Sequence, residues 1–193
     1  NRSETTPGSS AAGVYDAQDR IVSYGAMTFT HTDNGEMATK SDGVTTTTFG
    51  WNSRGQLTSV SENGGPTIEY VYDGLGRRVG RKVNGVVTQT FAYQGGLMPV
   101  AEYDSNGTLV ARFVYGERTN VPSYMVRNGV IYRFVLDQLG SVRQVVAEPT
   151  GVVMQSLSYD VWGEVISNTN PGFQPFGYAG GIPDDATGLV RFG

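Results

Sequence analysis

One short cassette recurs along this chain and constrains its fold more than any other feature. Each copy reads aromatic residue, Asp or Asn, two variable residues, Gly, a long polar residue and an aliphatic residue, and the clearest copies begin at Tyr72, Tyr103 and Tyr159. Cassettes of fixed form, spaced by roughly 20 to 30 residues, indicate a repeat protein whose units bury their apolar faces against their neighbours. Looser copies begin at Tyr15, His31, Trp51 and, with Leu in the aromatic position, Leu136.

The composition favours a protein built entirely from β-strands. Aromatic residues make up 11% of the 193 residues and 27 residues are Gly, a combination typical of many short strands separated by tight turns. Charged residues amount to only 17%, which argues against a disordered, solvated chain. No stretch has the apolar periodicity of a helix, so the prediction is an all-β fold.

Charge and cysteine content exclude several classes of function. The net charge is −4 and the basic residues cluster only at Arg77-Arg78 and Arg81-Lys82, so nucleic-acid binding, which needs a basic face, is not expected. The absence of Cys excludes disulfides, thiolate nucleophiles and Cys-ligated metals. The sequence contains no run of about 20 apolar residues, so membrane insertion is not expected.

Tight hairpin turns are predicted at five Asn-Gly pairs. Asn and Gly both tolerate positive φ, which the type I′ turn requires at its two central residues. Residues 67–72 alternate between β-forming residues and a charge, as expected of a strand with one buried face and one solvated face. The five pairs are Asn34-Gly35, Asn63-Gly64, Asn84-Gly85, Asn106-Gly107 and Asn128-Gly129.

The cassette has a structural interpretation that involves no chemistry. The aromatic ring is predicted to stack on its counterparts in adjacent repeats, and the Asp or Asn to accept hydrogen bonds from turn amides. The Gly is expected to adopt positive φ, and the aliphatic residue to return to the apolar face. The residues predicted to hold the repeats together are Tyr15, Asp16, His31, Gly35, Trp51, Asn52, Gly55, Tyr72, Asp73, Gly76, Tyr103, Asp104, Gly107, Asp137, Gly140, Tyr159, Asp160, Gly163, Phe176 and Gly177.

The cassettes, together with an ordered series of later motifs, resemble a known family. The series consists of residues 137–143 (DQLGSVR), 159–163 (YDVWG), 175–181 (PFGYAGG) and 187–193 (TGLVRFG). Over residues 14–193 the chain is similar to the YD repeats of Rhs proteins, of the C components of insecticidal toxin complexes and of the teneurin shell. The later motifs resemble the approach to the Rhs-associated core.

The resemblance implies a curved, twisted, ribbon-like sheet of antiparallel hairpins that spirals into a hollow shell around a C-terminal toxin or other cargo. In such families the core continues into a self-cleaving, aspartyl-protease-like element. The chain is interpreted as a fragment that ends just before that element, so self-cleavage is not carried over to it. The predicted division is a polar linker or frayed terminus at 1–13, a YD-repeat hairpin array at 14–165 and a truncated, Pro/Gly-rich start of the core at 166–193.

The function expected from these patterns is structural. The chain is predicted to be a segment of a bacterial Rhs or YD-repeat shell that encapsulates or displays a C-terminal toxin or effector. Its expected partners are the remainder of its own chain and that effector, and its expected location is secreted or on the bacterial surface. No enzymatic activity and no cofactor are expected. The alternative is a surface adhesion or self-assembling, filament-forming module that acts through open strand edges, as a homo-oligomer, or through carbohydrate binding.

Candidate catalytic and metal-binding residues are few. His31 is the single histidine and occupies the aromatic position of a cassette, so we favour a packing or turn role over catalysis or metal ligation. Asp184 and Asp185, with Asp160, could supply a carboxylate pair, but their Pro/Gly-rich context favours a solvated turn. The acidic residues match neither an EF-hand nor a nonapeptide Ca²⁺ repeat, so no more than weak Ca²⁺ binding is expected.

Two patterns that resemble binding sites are also interpreted as structural. Trp51 and Trp162 could form a platform for a carbohydrate, but both lie in cassettes, which favours packing. The glycine-rich residues 74–80 are only superficially similar to a phosphate-binding loop, because no helix is predicted to follow them. The sequence therefore predicts no catalytic, cofactor-binding or metal-binding residue.

Overall fold

The protein is built from β-strands that form two compact units. The computed structural model describes the backbone of residues 4–6, 9–11 and 13–192, and the side chains of residues 13–192. One unit comprises Asn1–Val71 with Lys82–Val86, and the other comprises Tyr72–Arg81 with Val87–Gly193. The described secondary structure consists of β-strands and a single turn of 3-10 helix, which confirms the predicted all-β fold.

The first unit contains short strands joined by tight turns. Its strands are β1 (Glu4–Thr6), β2 (Ser9–Ala11), β3 (Gly13–Tyr15), β4 (Ile21–Tyr24), β5 (Met27–His31), β6 (Met37–Ser41), β7 (Thr46–Trp51), β8 (Leu57–Glu62) and β9 (Thr67–Tyr72), whose last residue belongs to the second unit. From β3 to β9 each strand pairs antiparallel with the next strand in the sequence. This is the repeated-hairpin topology that the sequence predicts.

The segment predicted to be a linker contains regular structure in its described part. Strands β1 and β2 pair antiparallel with each other, and β3 begins at Gly13. The remainder of the predicted linker at 1–13 lies outside the described residues. The predicted boundary between residues 165 and 166 falls inside a strand that runs from Val165 to Asn168, and the three-part division stays a prediction.

The second unit continues the same antiparallel pairing. Its strands are β10 (Arg78–Val83), β11 (Val86–Gln94), β12 (Met98–Tyr103), β13 (Leu109–Val114), β14 (Tyr124–Arg127), β15 (Val130–Leu136), β16 (Val142–Ala147), β17 (Val153–Tyr159) and β18 (Val165–Asn168). Of β10 and β11, only residues 78–81 and 87–94 belong to this unit. From β11 to β18 each strand pairs with the next. A 3-10 turn at Tyr178–Gly180 and a hairpin of β19 (Ile182–Asp184) and β20 (Leu189–Arg191) follow.

Only two of the five Asn-Gly pairs form the predicted turn. Asn84-Gly85 and Asn128-Gly129 have positive φ at both residues, with values of 50° and 79° in the first pair and 52° and 77° in the second. At Asn34, Asn63 and Asn106 only the following Gly has positive φ. The type I′ prediction is wrong for these three pairs, because an Asn-Gly pair also suits a longer turn in which only the Gly is left-handed.

The largest apolar core lies in the second unit. The residues that follow β18 return over one face of its sheet, and residues 169–192 are called the C-terminal segment below. In the first unit the buried apolar residues among those described are Val60, Ile68 and Tyr70. The core of the second unit contains Phe91, Ala111, Phe113, Val121, Met125, Phe134, Val142, Val145 and Leu157, together with Phe176 and Ile182 from the C-terminal segment.

Candidate functional site

The turn that follows Tyr72 shows how a cassette folds. The backbone N–H of Asp73 donates to the Arg77 carbonyl and that of Gly76 donates to the Asp73 carbonyl, both at 3.0 Å. Asp73 Oδ1 accepts hydrogen bonds from the backbone N–H groups of Leu75 and Arg77 at 3.0 and 2.9 Å. Gly76 has a φ of 81°, so a type I turn is followed by a left-handed residue. The aspartate thus satisfies turn amides that would otherwise lack a partner.

The same arrangement recurs in most of the other cassettes. In each, an Oδ1 atom accepts from the N–H groups two and four residues further on, at 2.8 to 3.0 Å. The accepting residues are Asp16, Asn52, Asp104, Asp137 and Asp160. The left-handed glycines of the cassettes are Gly35, Gly55, Gly107, Gly140 and Gly163.

Two cassettes depart from this pattern. In the copy at Tyr15 the left-handed position is occupied by Asp19, with a φ of 61°, instead of Gly. In the copy at His31 the position of the Asp is taken by Thr32, whose backbone N–H donates to the Glu36 carbonyl at 2.8 Å and whose hydroxyl bonds to the Glu36 carboxylate. Both departures keep the backbone turn, so the turn tolerates substitution at either position when the neighbours compensate.

Replacing Gly76 with Ala is expected to lower the free energy of unfolding by about 1–2 kcal/mol, because a Cβ disfavours the left-handed conformation. Gly74→Ala is the matched control, because no heavy atom lies within 4 Å of a Cβ at Gly74 and its φ is not left-handed. Urea denaturation of both variants checks this, and equal losses would contradict it.

The carboxylate of Asp73 makes the cassette turn sensitive to acid. The N–H of Arg77, its guanidinium and the N–H of Leu75 hold the pKa of Asp73 below the ordinary value of 3.8 against the opposing effect of desolvation. A lowered pKa stabilises the fold at pH values above the unfolded pKa, and this stabilisation is lost as the pH falls through the folded pKa. Asp73→Asn, which copies Asn52, should therefore weaken the acid dependence of thermal unfolding below about pH 4. An unchanged pH profile would contradict this role.

In six of the cassettes the aromatic position coincides with a shift in strand register. The left-handed residue adds one residue to the turn, so the aromatic residue lies opposite the residue six positions later. The observed pairs are Tyr15 with Ile21, His31 with Met37, Trp51 with Leu57, Tyr103 with Leu109, Leu136 with Val142 and Tyr159 with Val165.

Polar tips of aromatic side chains tie successive cassettes together. Trp51 Nε1 donates to the Met37 carbonyl at 2.8 Å, and the Tyr159 hydroxyl donates to the Val142 carbonyl at 3.0 Å. In both cases the acceptor is the aliphatic position of the preceding cassette. These carbonyls lie beyond the last paired residues of β6 with β7 and of β16 with β17, so the aromatic tip supplies a donor where the ladder stops.

Tyr93 and Tyr115 make the same contact, and the sequence analysis missed both. Their hydroxyls donate to the carbonyls of Arg78 and Pro99 at 2.7 and 3.0 Å. No Asp or Asn follows either tyrosine, so neither matches the cassette. The spacing of Tyr72, Tyr93 and Tyr115, which lie 21 and 22 residues apart, is a signal that could have found them.

The contact between cassettes therefore differs from the predicted ring stacking. Trp51, Tyr93, Tyr115 and Tyr159 each form a side-chain hydrogen bond to a backbone carbonyl 14 to 17 residues earlier. The ring of Tyr159 packs edge-on against Tyr178 at 5.7 Å, and Tyr178 belongs to the C-terminal segment.

Tyr159→Phe is expected to lower the free energy of unfolding by about 1 kcal/mol, because the Val142 carbonyl loses its donor. The hydroxyl is substantially buried, and burial raises the pKa of Tyr159 to about 12. Tyr178→Phe is the control, since among the described residues the Tyr178 hydroxyl has no hydrogen-bond partner. Thermal unfolding of the two variants separates the effect of losing the Tyr159 hydrogen bond from the effect of losing a hydroxyl in general. An equal shift in Tm for both variants would contradict a stabilising role of the hydrogen bond.

Phe176 anchors the C-terminal segment to the sheet. Its side chain is 2% exposed, and its ring meets Phe113 and Phe134 edge-on with centroids 5.0 and 6.0 Å apart. The neighbouring Gly177 donates to the Gly181 carbonyl at 2.7 Å and accepts from the Val142 N–H at 3.2 Å. Both residues, which were expected to have a role in the repeats, lie instead in the segment that covers the repeats.

Buried amide side chains fix the backbone around this anchor. Gln174 Nε2 donates to the Phe176 carbonyl at 2.8 Å and to Gln155 Oε1 at 3.1 Å, and Gln174 Oε1 accepts from the Phe176 N–H at 2.6 Å. Gln155 Nε2 in turn donates to Asn168 Oδ1 and to the Asn170 carbonyl, each at 2.9 Å. Each buried polar group is thereby satisfied, which makes the path of the segment specific.

Asp184 is a second attachment point, and its predicted exposure is wrong. Its side chain is 4% exposed, and it accepts hydrogen bonds from Arg81 Nε at 2.7 Å and Arg81 Nη2 at 3.0 Å. The adjacent Asp185 is exposed, as expected of a solvated turn. A Pro/Gly-rich context did not reveal this pairing because Arg81 lies 103 residues earlier in the chain.

A cavity of about 1060 Å³ is lined by the sheet of the second unit and by the C-terminal segment. Its walls include Arg81, Gln89 and Glu102 from the sheet and Gln174 and Asp184 from the segment. Burial raises the pKa of Glu102, although Gln89, which donates to its carboxylate at 2.6 Å, acts in the opposite direction. The cavity presents hydrogen-bond donors and acceptors to whatever occupies it.

The remaining candidate residues lie apart from this cavity or only at its wall. His31 is half-buried at the end of β5, and Trp51 is half-buried with its indole N–H bonded as described. Trp162 lines the cavity and is 63% exposed, and Asp160 holds a cassette turn. Among the described residues no three His, Asp or Glu side chains gather as a metal site would require, and no helix has the length and hydropathy needed to cross a membrane.

Sequence comparison relates the chain to animal and bacterial proteins that are much longer. Teneurin-1 of Gallus gallus is 28% identical over 184 residues, and Teneurin-4 of Homo sapiens is 28% identical over 196 residues; these matches cover 93% and 97% of this chain. The tRNA3(Ser)-specific nuclease WapA of Bacillus spizizenii is 29% identical over 147 residues, or 74% of this chain. The chain spans only about 7% of the length of the teneurins and 6% of WapA.

Solved structures share the fold. A chain in the Photorhabdus luminescens Tc holotoxin pore matches with a TM-score of 0.57 and 17% identity, over 95% of this chain and 11% of that one. A chain in the crystal structure of TcdB2-TccC3 without hypervariable C-terminal region matches with a TM-score of 0.54 and 16% identity, over 94% and 11%. The family model described as Teneurin YD-shell matches residues 2–193. The chain therefore belongs to the teneurin YD-shell family.

Proposed function

We propose that this chain is a wall segment of a larger bacterial shell of the Rhs or YD-repeat type, which encloses or displays a C-terminal toxin or effector. The observation that carries this proposal is the C-terminal segment, which crosses one face of the sheet and is anchored there by Phe176. Because the C-terminal segment packs on one face of the sheet, it adds a second layer to the wall, and a domain that follows it in the chain would be held at that face. The chain has a structural role, and catalysis is left to the domain that the shell carries.

The cassettes suit a wall that grows by repetition. In the sheet ladder of the described residues, the strands from β11 to β18 pair consecutively in sequence order, so strands can be added without disturbing those already formed. The hydroxyls of Tyr93, Tyr115 and Tyr159 donate hydrogen bonds to backbone carbonyls 15 to 17 residues earlier, so they connect neighbouring repeats. On this proposal the protein acts outside the cell, secreted or at the bacterial surface, with the rest of its own chain and the effector as partners.

The proposal is tested by protease protection in a polypeptide that carries this chain followed by its effector. The effector should resist digestion in the unsubstituted protein and become sensitive after Phe176→Ala, which removes the anchor. Phe192→Ala is the matched control, because Phe192 lies in the same segment but is 59% exposed. An effector that is digested equally in all three proteins would contradict enclosure.

A second candidate function, self-assembly through a strand edge, is favoured by the exposure of β18. Within the described part of the second unit β18 pairs only with β17, and its residues Val165 and Ile166 are 46% and 68% exposed. Apolar edge strands invite pairing with another chain. Light scattering over a concentration series tests this: oligomers that disappear in Ile166→Lys support it, and a monomer at every concentration contradicts it.

A further inference from the structure

The five Asn-Gly pairs share a reactive chemistry that the fold controls differently at each site. The backbone nitrogen of the Gly can attack the Asn side-chain carbonyl carbon, which expels ammonia and closes a succinimide ring. Water then opens the ring to leave aspartate or isoaspartate. Because Gly has no Cβ, steric hindrance of the attack is minimal at all five pairs. Differences in the rate of succinimide formation between the five pairs therefore depend on how firmly the fold holds the Gly nitrogen and the Asn side-chain carbonyl.

In the two cassette turns the attacking nitrogen is held by a hydrogen bond. The Gly35 N–H donates to the Thr32 carbonyl at 3.0 Å, and the Gly107 N–H donates to the Asp104 carbonyl at 3.1 Å. Attack on Asn34 or Asn106 requires this bond to break first. The cassette turn therefore protects its own Asn-Gly pair.

In two other turns a hydrogen bond restrains the Asn side chain and not the Gly nitrogen. Asn84 Oδ1 accepts from the Thr67 backbone N–H at 2.9 Å, and this bond restrains rotation of the Asn84 side chain toward the Gly85 nitrogen. Asn63 is held less firmly, because Oδ1 accepts from the Thr46 N–H at 3.3 Å and Nδ2 reaches the Val44 carbonyl only at 3.5 Å. We expect strong protection of Asn84 and partial protection of Asn63.

Asn128-Gly129 has neither form of protection. Both residues are exposed at the tip of the hairpin between β14 and β15. Within the described part of the chain neither the Asn128 side chain nor the Gly129 N–H has a hydrogen-bond partner. We propose that Asn128-Gly129 is a site of spontaneous deamidation, at which water converts the asparagine to aspartate or isoaspartate while ammonia is lost.

The modification changes the hairpin in two ways. Either product adds a negative charge, and Asn128 lines a shallow depression of about 300 Å³ together with Arg112. Isoaspartate also lengthens the backbone inside a two-residue turn that needs positive φ at both positions. The two strands of this hairpin carry Met125 and Phe134 into the core, so isoaspartate loosens a part of the sheet that contacts the anchor Phe176.

The test is to age the purified protein in mildly alkaline buffer and quantify all five pairs by peptide mass spectrometry that separates aspartate from isoaspartate. Asn128 should convert first, about fivefold faster than Asn84 or Asn106, the effect expected of one protecting hydrogen bond. In denaturant the five rates should converge, because the local chemistry is the same. Asn128→Gly keeps the turn and should abolish the modification in that peptide.

Two results would overturn the proposal. Equal rates at the five pairs in the folded protein would show that the hydrogen bonds do not protect, and earlier conversion at Asn84 or Asn106 would show that Asn128 is not the exposed site. Because the other pairs serve as internal references, the outcome does not depend on the proposed shell function.

Discussion

Phe176→Ala is expected to lower the free energy of unfolding of the second unit by about 3–5 kcal/mol. The side chain is 2% exposed and lies between Phe113 and Phe134, so truncation removes two edge-on ring contacts and leaves a cavity in the core. A domain has a total stability of only about 5–15 kcal/mol. The C-terminal segment should therefore detach or the unit should unfold under mild conditions.

Hydrogen exchange and urea denaturation measure this loss. Amides of residues 169–192 should lose protection in Phe176→Ala, and the denaturation midpoint should fall. In the control Phe192→Ala, the side chain removed is 59% exposed, and the change should stay within about 0.5 kcal/mol. Similar effects from the two substitutions would mean that Phe176 is not the anchor.

Asp184→Asn is expected to cost about 3 kcal/mol, because it leaves the Arg81 guanidinium without its carboxylate partner in a largely buried site. The side chains of Arg81 and Asp184 are 21% and 4% exposed, and their two hydrogen bonds form a bidentate pair. Removal of one charge from such a pair costs more than removal of both. The double substitution Arg81→Leu with Asp184→Leu should therefore be less destabilising than Asp184→Asn alone.

The exposed pair of Arg133 and Glu148 provides the control for this prediction. These side chains are 57% and 39% exposed, although their contact of 2.6 Å is as short as that of the buried pair. Solvent screens such a pair, so Glu148→Gln should change the free energy of unfolding by less than about 1 kcal/mol. Comparable losses from Glu148→Gln and Asp184→Asn would show that burial of the Arg81 pair contributes nothing.

Much of the repeat architecture could be predicted from residue order. The strands, the antiparallel pairing and the position of each cassette turn all follow from patterns that span fewer than about ten residues. The Asp73 turn is an example, because the donors and acceptors that define it lie within four residues of one another. The turn type of an Asn-Gly pair does not follow from the dipeptide, since the same two residues suit two turn types.

The site on the face of the sheet could not be predicted in this way. Tyr93 and Tyr115 do not match the cassette because no Asp follows them, and their role depends on carbonyls 15 and 16 residues earlier in the chain. The Pro/Gly-rich context of Asp184 predicts a solvated turn and gives no sign of its pairing with Arg81, which lies 103 residues earlier.

The sequence by itself determined the local structure: which residues turn, which pair, and that the chain is a β-hairpin repeat. These features depend on hydrogen bonds and backbone preferences between residues that are near neighbours in the sequence. Only the tertiary structure decided which face of the sheet is covered and what anchors the cover. Burial of Phe176 and pairing of Asp184 with Arg81 depend on groups brought together over as many as 103 residues, and no local pattern specifies what will pack against a given face.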